Sequence, residues 1–455
     1  MADESPEAAP SIHGISAVTQ APQRAKAMGY VGEVLEIFLG DVFVGTIVEL
    51  HGRNSVFTFD ESYIANDDRS LLSRGFIDAY GRLRIRPGEL GRIVPFFANL
   101  LPEGELREYV AEHAGIDVRD DLALLWVTGR DLPGAVIVRS ADGRELPPVA
   151  NGGSRVIATG DRLLRFSLAG VQLKFSAVRN AAGGLTIPVS GRDGDFIVKL
   201  PSTQFADVPL NEYAMMEFAG ELGLDVPECQ LVDLDRLEGL PDDINGIPER
   251  SAFVIRRFDR AGGKRIHMED FNQIYRQYPR LKYDNHDYNE MGRDIYRLTG
   301  VEGLRDFVHR LVFTIAIGNT DMHLKNWSLI YRDGRTAELA PVYDYLCTSA
   351  YRIHGRNALA LKVGGTKSFV AIDDGTFEAF AQRADVARRI VMTAAYEMRD
   401  RICEAWPKKR AAISEGLPAV AARIDELLRR VPFFSGKPEA ATEPIDTGEE
   451  HEELT

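Results

Sequence analysis

Read as a pattern of apolar and polar positions, the chain opens without any period. Residues 1–30, rich in Ala, Pro and Ser, read as a disordered leader. Regular structure is expected from Val34. The runs 34–39 and 42–48, separated by Gly40-Asp41, read as two strands about a tight turn, and 55–59 reads as a third. The stretch 95–115 is expected to be helical, 122–127 is a short apolar segment ending before Gly129, and 134–138 reads as another strand. Together these predict a small α+β domain over 31–145. A second strand-rich region is expected over 146–262, with strands at 163–166, 175–178, 196–200, 229–232 and 252–255 and a helix over 211–222 closed by Gly223. From 263 to 435 the pattern is mainly helical, with helices over 304–318, 386–406 and 417–431. Strands first, one helix among them, then a helical half suits two lobes with a ligand cleft between them.

Composition narrows the classes. Of 455 residues, 45% are hydrophobic and 27% charged, ordinary for a water-soluble protein with a substantial core. The apolar run 311–317 is far too short for a bilayer span, and no basic flank precedes an apolar core at the N-terminus. No membrane association and a cytosolic location are therefore expected. Cys229, Cys347 and Cys403 form no CxxC pair, which speaks against a disulfide framework or a zinc site. Net charge is −14, of which −6 falls in a Pro- and Glu-rich tail over 436–455 that reads as disordered. The remaining body is mildly acidic and lacks the basic face of a protein that binds nucleic acid by itself.

The candidate chemistry lies in Gly318-Asn-Thr-Asp-Met-His-Leu-Lys-Asn-Trp-Ser328. A helix–loop–strand junction so dense in polar groups is costly to bury without a ligand. The spacing from Asp321 to Asn326 is that of a protein-kinase catalytic loop, in which the Asp receives a hydroxyl proton and the Asn holds Mg²⁺. Asp344, a short hairpin downstream, is placed to return to the same cleft as a second metal ligand. Upstream, Lys199 ends an apolar strand, where an unpaired charge is costly, and Glu212 early in the next helix is its candidate partner. The turn Arg165-Phe-Ser-Leu-Ala-Gly-Val-Gln-Leu-Lys174 has small residues at Ser167, Ala169 and Gly170, which let backbone amides approach phosphate oxygens. Each piece alone has an ordinary structural explanation. A DxxxxN spacing arises by chance, His323 alone reads as a hydrogen-bonded core residue, and Asp344 alone reads as a turn former. Their conjunction in this order points to phosphoryl transfer.

These pieces resemble the HipA family, the serine/threonine kinase toxins of bacterial type II toxin–antitoxin modules. The resemblance covers nearly all of 31–430. It rests on Phe166 to Lys174, Ile197-Val-Lys-Leu-Pro201, Asn211-Glu212, Glu221 to Pro227, Arg257-Phe-Asp-Arg260, Asp321 to Ser328 and Pro341 to Asp344. In the first domain it rests on Val44-Gly45, Asn99-Leu-Leu-Pro-Glu103 and Gly129 to Ala135. It implies a two-lobed, eukaryotic-like kinase fold with a β-rich first lobe, a helical second lobe and an additional small α+β N-terminal domain, with ATP and Mg²⁺ as cofactors. By the same resemblance Asp321 is the catalytic base, Asn326 and Asp344 hold Mg²⁺, and Lys199 and His323 contact the ATP phosphates. Ala169, Gly170, Val171, Gln172 and Lys174 form the phosphate loop. Arg256 and Phe258 lie at the adenine hinge, and Tyr343 lies beside the nucleotide. Ser167 is the implied autophosphorylation site and off switch. The implied substrate is an aminoacyl-tRNA synthetase, glutamyl-tRNA synthetase foremost. The implied partner is a HipB-like helix-turn-helix antitoxin, through which the complex reaches operator DNA.

Other readings stay open at this point. Asp321, His323 and Asp344 could be ligands of a metal hydrolase, which leaves Lys199 and Asn326 without work. A degenerate kinase acting mainly as co-repressor, or a small-molecule kinase, would share the same residues.

Overall fold

The computed structural model describes residues 32–50, 54–78, 80–84, 93–145, 174–179, 185–186, 194–202, 204–238, 240, 249–351 and 358–436. The strand expected over 163–166 lies outside the described residues.

The first domain is a four-stranded antiparallel sheet in the order β3-β2-β1-β4, formed by β1 (Val34–Leu39), β2 (Val42–Glu49), β3 (Ser55–Phe59) and β4 (Val136–Ser140). Strict alternation buries Leu35, Ile37 and Leu39 on one face of β1. Gly40, at φ +59°, makes the two-residue turn to β2, a conformation that costs glycine nothing. The helical stretch expected over 95–115 is two helices, α1 (Pro95–Ala98) and α2 (Gly104–Ala114). Asn99 ends the first by turning its side-chain amide back onto the Pro95 carbonyl at 2.9 Å. The apolar segment at 122–127 is also a helix, α3 (Asp121–Thr128), because the Asp120 side chain caps it by accepting from the Ala123 amide at 2.9 Å. Phe96, Phe97, Leu124 and Leu125 pack against the sheet as one core.

The second sheet has six strands in the order β8-β10-β7-β5-β6-β9. They are β5 (Lys174–Arg179), β6 (Leu185–Thr186), β7 (Phe196–Lys199), β8 (Cys229–Asp233), β9 (Leu237–Glu238) and β10 (Ser251–Arg256). Its inner strand β10 reads SAFVIR and is buried at four consecutive positions, since both faces are covered. Ala252 and Val254 join Val198 and Ala177 on one face. Phe253 and Ile255 pack on the other face with Met215 and Phe218 of α4 (Val208–Glu221).

The rest is mainly helical. The helix expected over 304–318 is the second limb of a longer one, α5 (Tyr288–Ala316), which kinks at Gly300, where φ is +72°. The first limb buries Tyr288, Met291 and Ile295 at helical spacing, set among polar and charged positions. Small pairings that were not expected include β11 (His267–Asp270) beside β12 (Ser328–Tyr331), and a hairpin of β13 (Ala358–Val363) and β14 (Thr366–Ser368). Four helices close the domain: α6 (Asp374–Ala384), α7 (Arg388–Gly416), α8 (Pro418–Arg430) and the one-turn α9 (Pro432–Ser435). Helix α7 runs ten residues past the expected end at 406, with Pro407 inside it. Among the described residues no helix is long and apolar enough to cross a membrane.

The first domain is anchored by buried polar groups. Arg257 donates to Asp131 (2.8 Å) and to Asp259 (2.9 Å), Arg260 donates to Asp259 (2.7 Å), and the Gly134 amide donates to Asp259 (2.8 Å). The motifs Arg257-Phe-Asp-Arg260 and Gly129 to Ala135 are thus two halves of one interdomain joint. Burial raises the cost of an ionised Asp259, but the Arg257 and Arg260 guanidinium groups outweigh it and hold that carboxyl below the usual range.

Candidate active site

The centre of the site is a buried cation. Lys199 is the last residue of β7, and its ammonium donates to Glu212 of α4 and to Asp344 of the later loop. The lysine side chain is 5% exposed, Glu212 0% and Asp344 21%. Burial alone would depress the lysine pKa, yet the Asp344 and Glu212 carboxylates outweigh it and push it up, so the ammonium is charged throughout the physiological range. The strand, the helix and the later loop therefore converge on one nitrogen.

Asp344 has φ +57°, a left-handed conformation that aspartate tolerates better than most residues. Two asparagines hold its surroundings. Asn211, beside Glu212, exchanges hydrogen bonds with the Cys347 backbone, accepting from its N–H at 3.0 Å and donating to its carbonyl at 3.3 Å. Asn319 donates to the Asp344 carbonyl at 3.1 Å and accepts from the Asp321 amide at 2.9 Å. It is fully buried. Both carboxylate residues are thereby pinned to one side chain.

The loop between α5 and β12 follows the same logic. Gly318 has φ +65°, and a Cβ there would sit 2.2 Å from the Ser349 hydroxyl, so only glycine lets the helix end this close to its neighbour. Asn326 donates its side-chain amide to the Asp321 carbonyl at 3.0 Å, and the His323 amide donates to the same oxygen at 2.8 Å. Tyr283 donates its hydroxyl to Asp321 Oδ1 at 2.5 Å and presents its ring edge-on to His323, centroids 5.0 Å apart. His323 is 6% exposed. Burial, aided by Lys282, pushes its pKa down to about 4, so the ring is neutral near pH 7. Among the described residues nothing hydrogen-bonds its buried Nδ1.

The structure brings some of the sequence-predicted residues together and leaves others apart. Lys199, Glu212, Asp321, His323, Asn326 and Asp344 are brought together as described. Tyr343 and Phe258 pack as neighbours, ring centroids 5.8 Å apart, and the Tyr343 hydroxyl donates to the Lys325 carbonyl at 3.0 Å. Arg256 is exposed at the end of β10 and pairs with Glu228 at 3.8 Å. Lys174 opens β5, where its Cα is the register partner of Lys199. Ser167, Ala169, Gly170, Val171 and Gln172 lie outside the described residues. Sequence reasoning gave no role to Asn319, Asn211 or Tyr283. Asn319 stood inside the polar segment and Asn211 beside Glu212, while nothing local marks Tyr283.

These groups fit a nucleotide and a divalent cation. With its amide nitrogen spent on Asp321, Asn326 offers a carboxamide oxygen, and Asp344 offers a carboxylate, the hard donors Mg²⁺ prefers. Among the described residues no three His, Cys, Asp or Glu side chains could hold a metal by themselves. A Mg²⁺ site built partly from phosphate oxygens needs no such group. Lys199 and the unsatisfied His323 ring supply polar groups for phosphate.

Comparison with known proteins places this geometry. The HipA-like C-terminal domain family matches residues 166–406, and the HipA N-terminal domain family matches 35–139. Y4dM of Sinorhizobium fredii, provisionally named a kinase, is 42% identical over 403 residues, covering 88% of this chain and 96% of that protein. The serine/threonine-protein kinase toxin HipA of Shewanella oneidensis is 24% identical over 351 residues, 70% of this chain and 76% of that protein. In the solved complex of Shewanella oneidensis HipA, HipB and operator DNA, one chain matches with a TM-score of 0.66 at 19% identity, covering 90% of this chain and 100% of that one; at that identity the likeness is one of fold. Both family domains, in order, together with a relative 42% identical along 88% of the chain, show that this protein belongs to the HipA family.

Proposed function

We propose that this chain is a serine/threonine-protein kinase toxin that transfers the γ-phosphoryl group of ATP to a protein hydroxyl. The observation that carries the reading is the buried Lys199 ammonium between Glu212 and Asp344, coupled through Asn319 to Asp321. The reading includes a two-lobed kinase fold, with a β-rich lobe over 146–262, a helical lobe over 263–435 and the additional domain over 31–145. When bound, ATP and Mg²⁺ supply the transferable phosphoryl group and the charge neutralisation it needs. Asn326 and Asp344 would hold the metal. Lys199 and His323 would hold phosphate oxygens, with Ala169 to Lys174 closing over them. Phe258, Tyr343 and Arg256 would border the base. Asp321 takes the proton of the attacking hydroxyl.

The family supports three finer readings. The substrate is an aminoacyl-tRNA synthetase, glutamyl-tRNA synthetase foremost, whose modification would arrest translation. A HipB-like helix-turn-helix antitoxin binds this chain and carries it to operator DNA, as the complex from Shewanella oneidensis is named. Phosphorylation of Ser167 by the chain itself adds roughly −2 of charge beside the phosphate loop and switches the enzyme off. The test is to incubate the pure protein with γ-labelled ATP, Mg²⁺ and cell lysate, then identify labelled proteins by mass. A labelled synthetase is expected. Labelling of small molecules alone would replace the protein-kinase reading.

A further inference from the structure

Asp321 is fixed from several directions. Its amide donates to Asn319, and its carbonyl accepts from Asn326 and His323. These bonds set the backbone but leave rotation of the carboxylate about its side-chain bonds. Tyr283 addresses the carboxylate itself, its hydroxyl donating to Oδ1 at 2.5 Å. Tyr283 comes from a different segment, the turn after the short helix Pro279–Leu281. That turn is bound to the catalytic loop twice more. The Leu324 amide donates to the Lys282 carbonyl at 3.2 Å, and the Tyr283 ring meets His323 edge-on. The Lys282 ammonium lies 5.7 Å from the centre of the Tyr283 ring, a favourable cation–π placement. A phenol held by its ring, its neighbour's backbone and its neighbour's charge is a rigid donor.

We infer that Tyr283 is a positioning residue for phosphoryl transfer, its hydroxyl setting the plane of the Asp321 carboxylate so that the acceptor hydroxyl meets a pre-oriented base. The inference rests on the reading of Asp321 as the base. A base within hydrogen-bond reach but free to turn spends part of its time misaligned, and misplacement of this kind lowers the rate of the step and not the affinity for nucleotide. The same hydroxyl could instead block the acceptor, and the two roles have opposite consequences on its removal.

The test is the Tyr283→Phe variant, which keeps the ring and removes only the donor. Phosphate transfer from γ-labelled ATP to lysate protein is measured beside wild type and Asp321→Asn, with melting temperature and Mg·ATP binding by calorimetry on all three. Loss of one hydrogen bond to a charged group is expected to lower kcat by about ten- to a hundredfold, with KM for ATP and the melting temperature close to wild type. Transfer by Tyr283→Phe equal to or faster than wild type would overturn the inference, as would a fall in activity that tracks a fall in melting temperature or in ATP affinity. Wild-type labelling no greater than that of Asp321→Asn would overturn the kinase reading and this inference with it.

Discussion

Glu103 of the first domain forms an ion pair with Lys325, the residue just before Asn326 in the loop that carries Asp321. Its other carboxylate oxygen accepts from Lys282 at 2.9 Å, so one acid on the additional domain grips the two segments that meet at Asp321. Burial works against ionisation of Glu103, but Lys325 and Lys282 outweigh it and hold its pKa down to about 2. A depressed carboxyl pKa stabilises the fold above the unfolded value, and that contribution is lost as pH falls from about 4.5 towards about 2. Glu103→Gln is therefore expected to be less stable than wild type at pH 7 by up to ~1 kcal/mol, a modest figure because the pair is partly exposed. Denaturant melts should show the gap closing as pH drops through that window, and a gap independent of pH would contradict the assignment.

The buried lysine makes a sharper claim. Replacing Lys199 by Met leaves Glu212 and Asp344 facing each other without their cation, and removing one partner from a buried ion pair costs about 3–5 kcal/mol. Lys199→Met should unfold at correspondingly lower denaturant. The double variant Lys199→Met/Glu212→Leu should recover part of the stability but none of the phosphoryl transfer. Recovery of activity would show that the lysine is structural only.

Two buried histidines set a pH dependence. His267 donates its Nε2–H to the Leu72 carbonyl at 2.8 Å, and burial pushes its pKa down to about 4, as it does for His323. Both are neutral in the fold, while the unfolded chain binds protons near pH 6.5. Stability contributed by these rings should rise as pH increases from about 4 to about 6.5. Proton titration by NMR should find both rings neutral at pH 5.5. A ring with an ordinary pKa would contradict the burial argument.

The candidate segment was legible in the sequence because Asp321, His323 and Asn326 are near neighbours in one loop, and because Lys199 ends a strand and Glu212 lies early in the next helix. What holds them was not legible. Asn319 holds Asp321 and reaches Asp344, 25 positions further on, Tyr283 reaches forward 38 positions, and Glu103 reaches across 222. These are tertiary contacts that local periodicity does not encode. The same limit hid the helix at Asp121–Thr128, which a cap and not a period defines. The motif Arg257-Phe-Asp-Arg260, read beside the nucleotide hinge, proved to be a buried joint to the first domain.

Asn319→Ala tests the coupling between the two carboxylate residues. It removes a donor to Asp344 and an acceptor for Asp321 and leaves a buried carbonyl and amide unsatisfied, at about 1–3 kcal/mol for each group. Transfer should fall by more than the loss of folded protein explains, as judged by activity per folded molecule. Full activity per folded molecule would show that the two residues need no common anchor.

The central claim is that Asp321 and Asp344 perform phosphoryl transfer. The most direct measurement is the transfer of label from γ-labelled ATP to protein by purified wild type, Asp321→Asn and Asp344→Asn, with folding checked by circular dichroism. Transfer by wild type and a loss of at least ~10²-fold in each folded variant are expected. Near wild-type transfer by either variant, or none by wild type, would contradict the account.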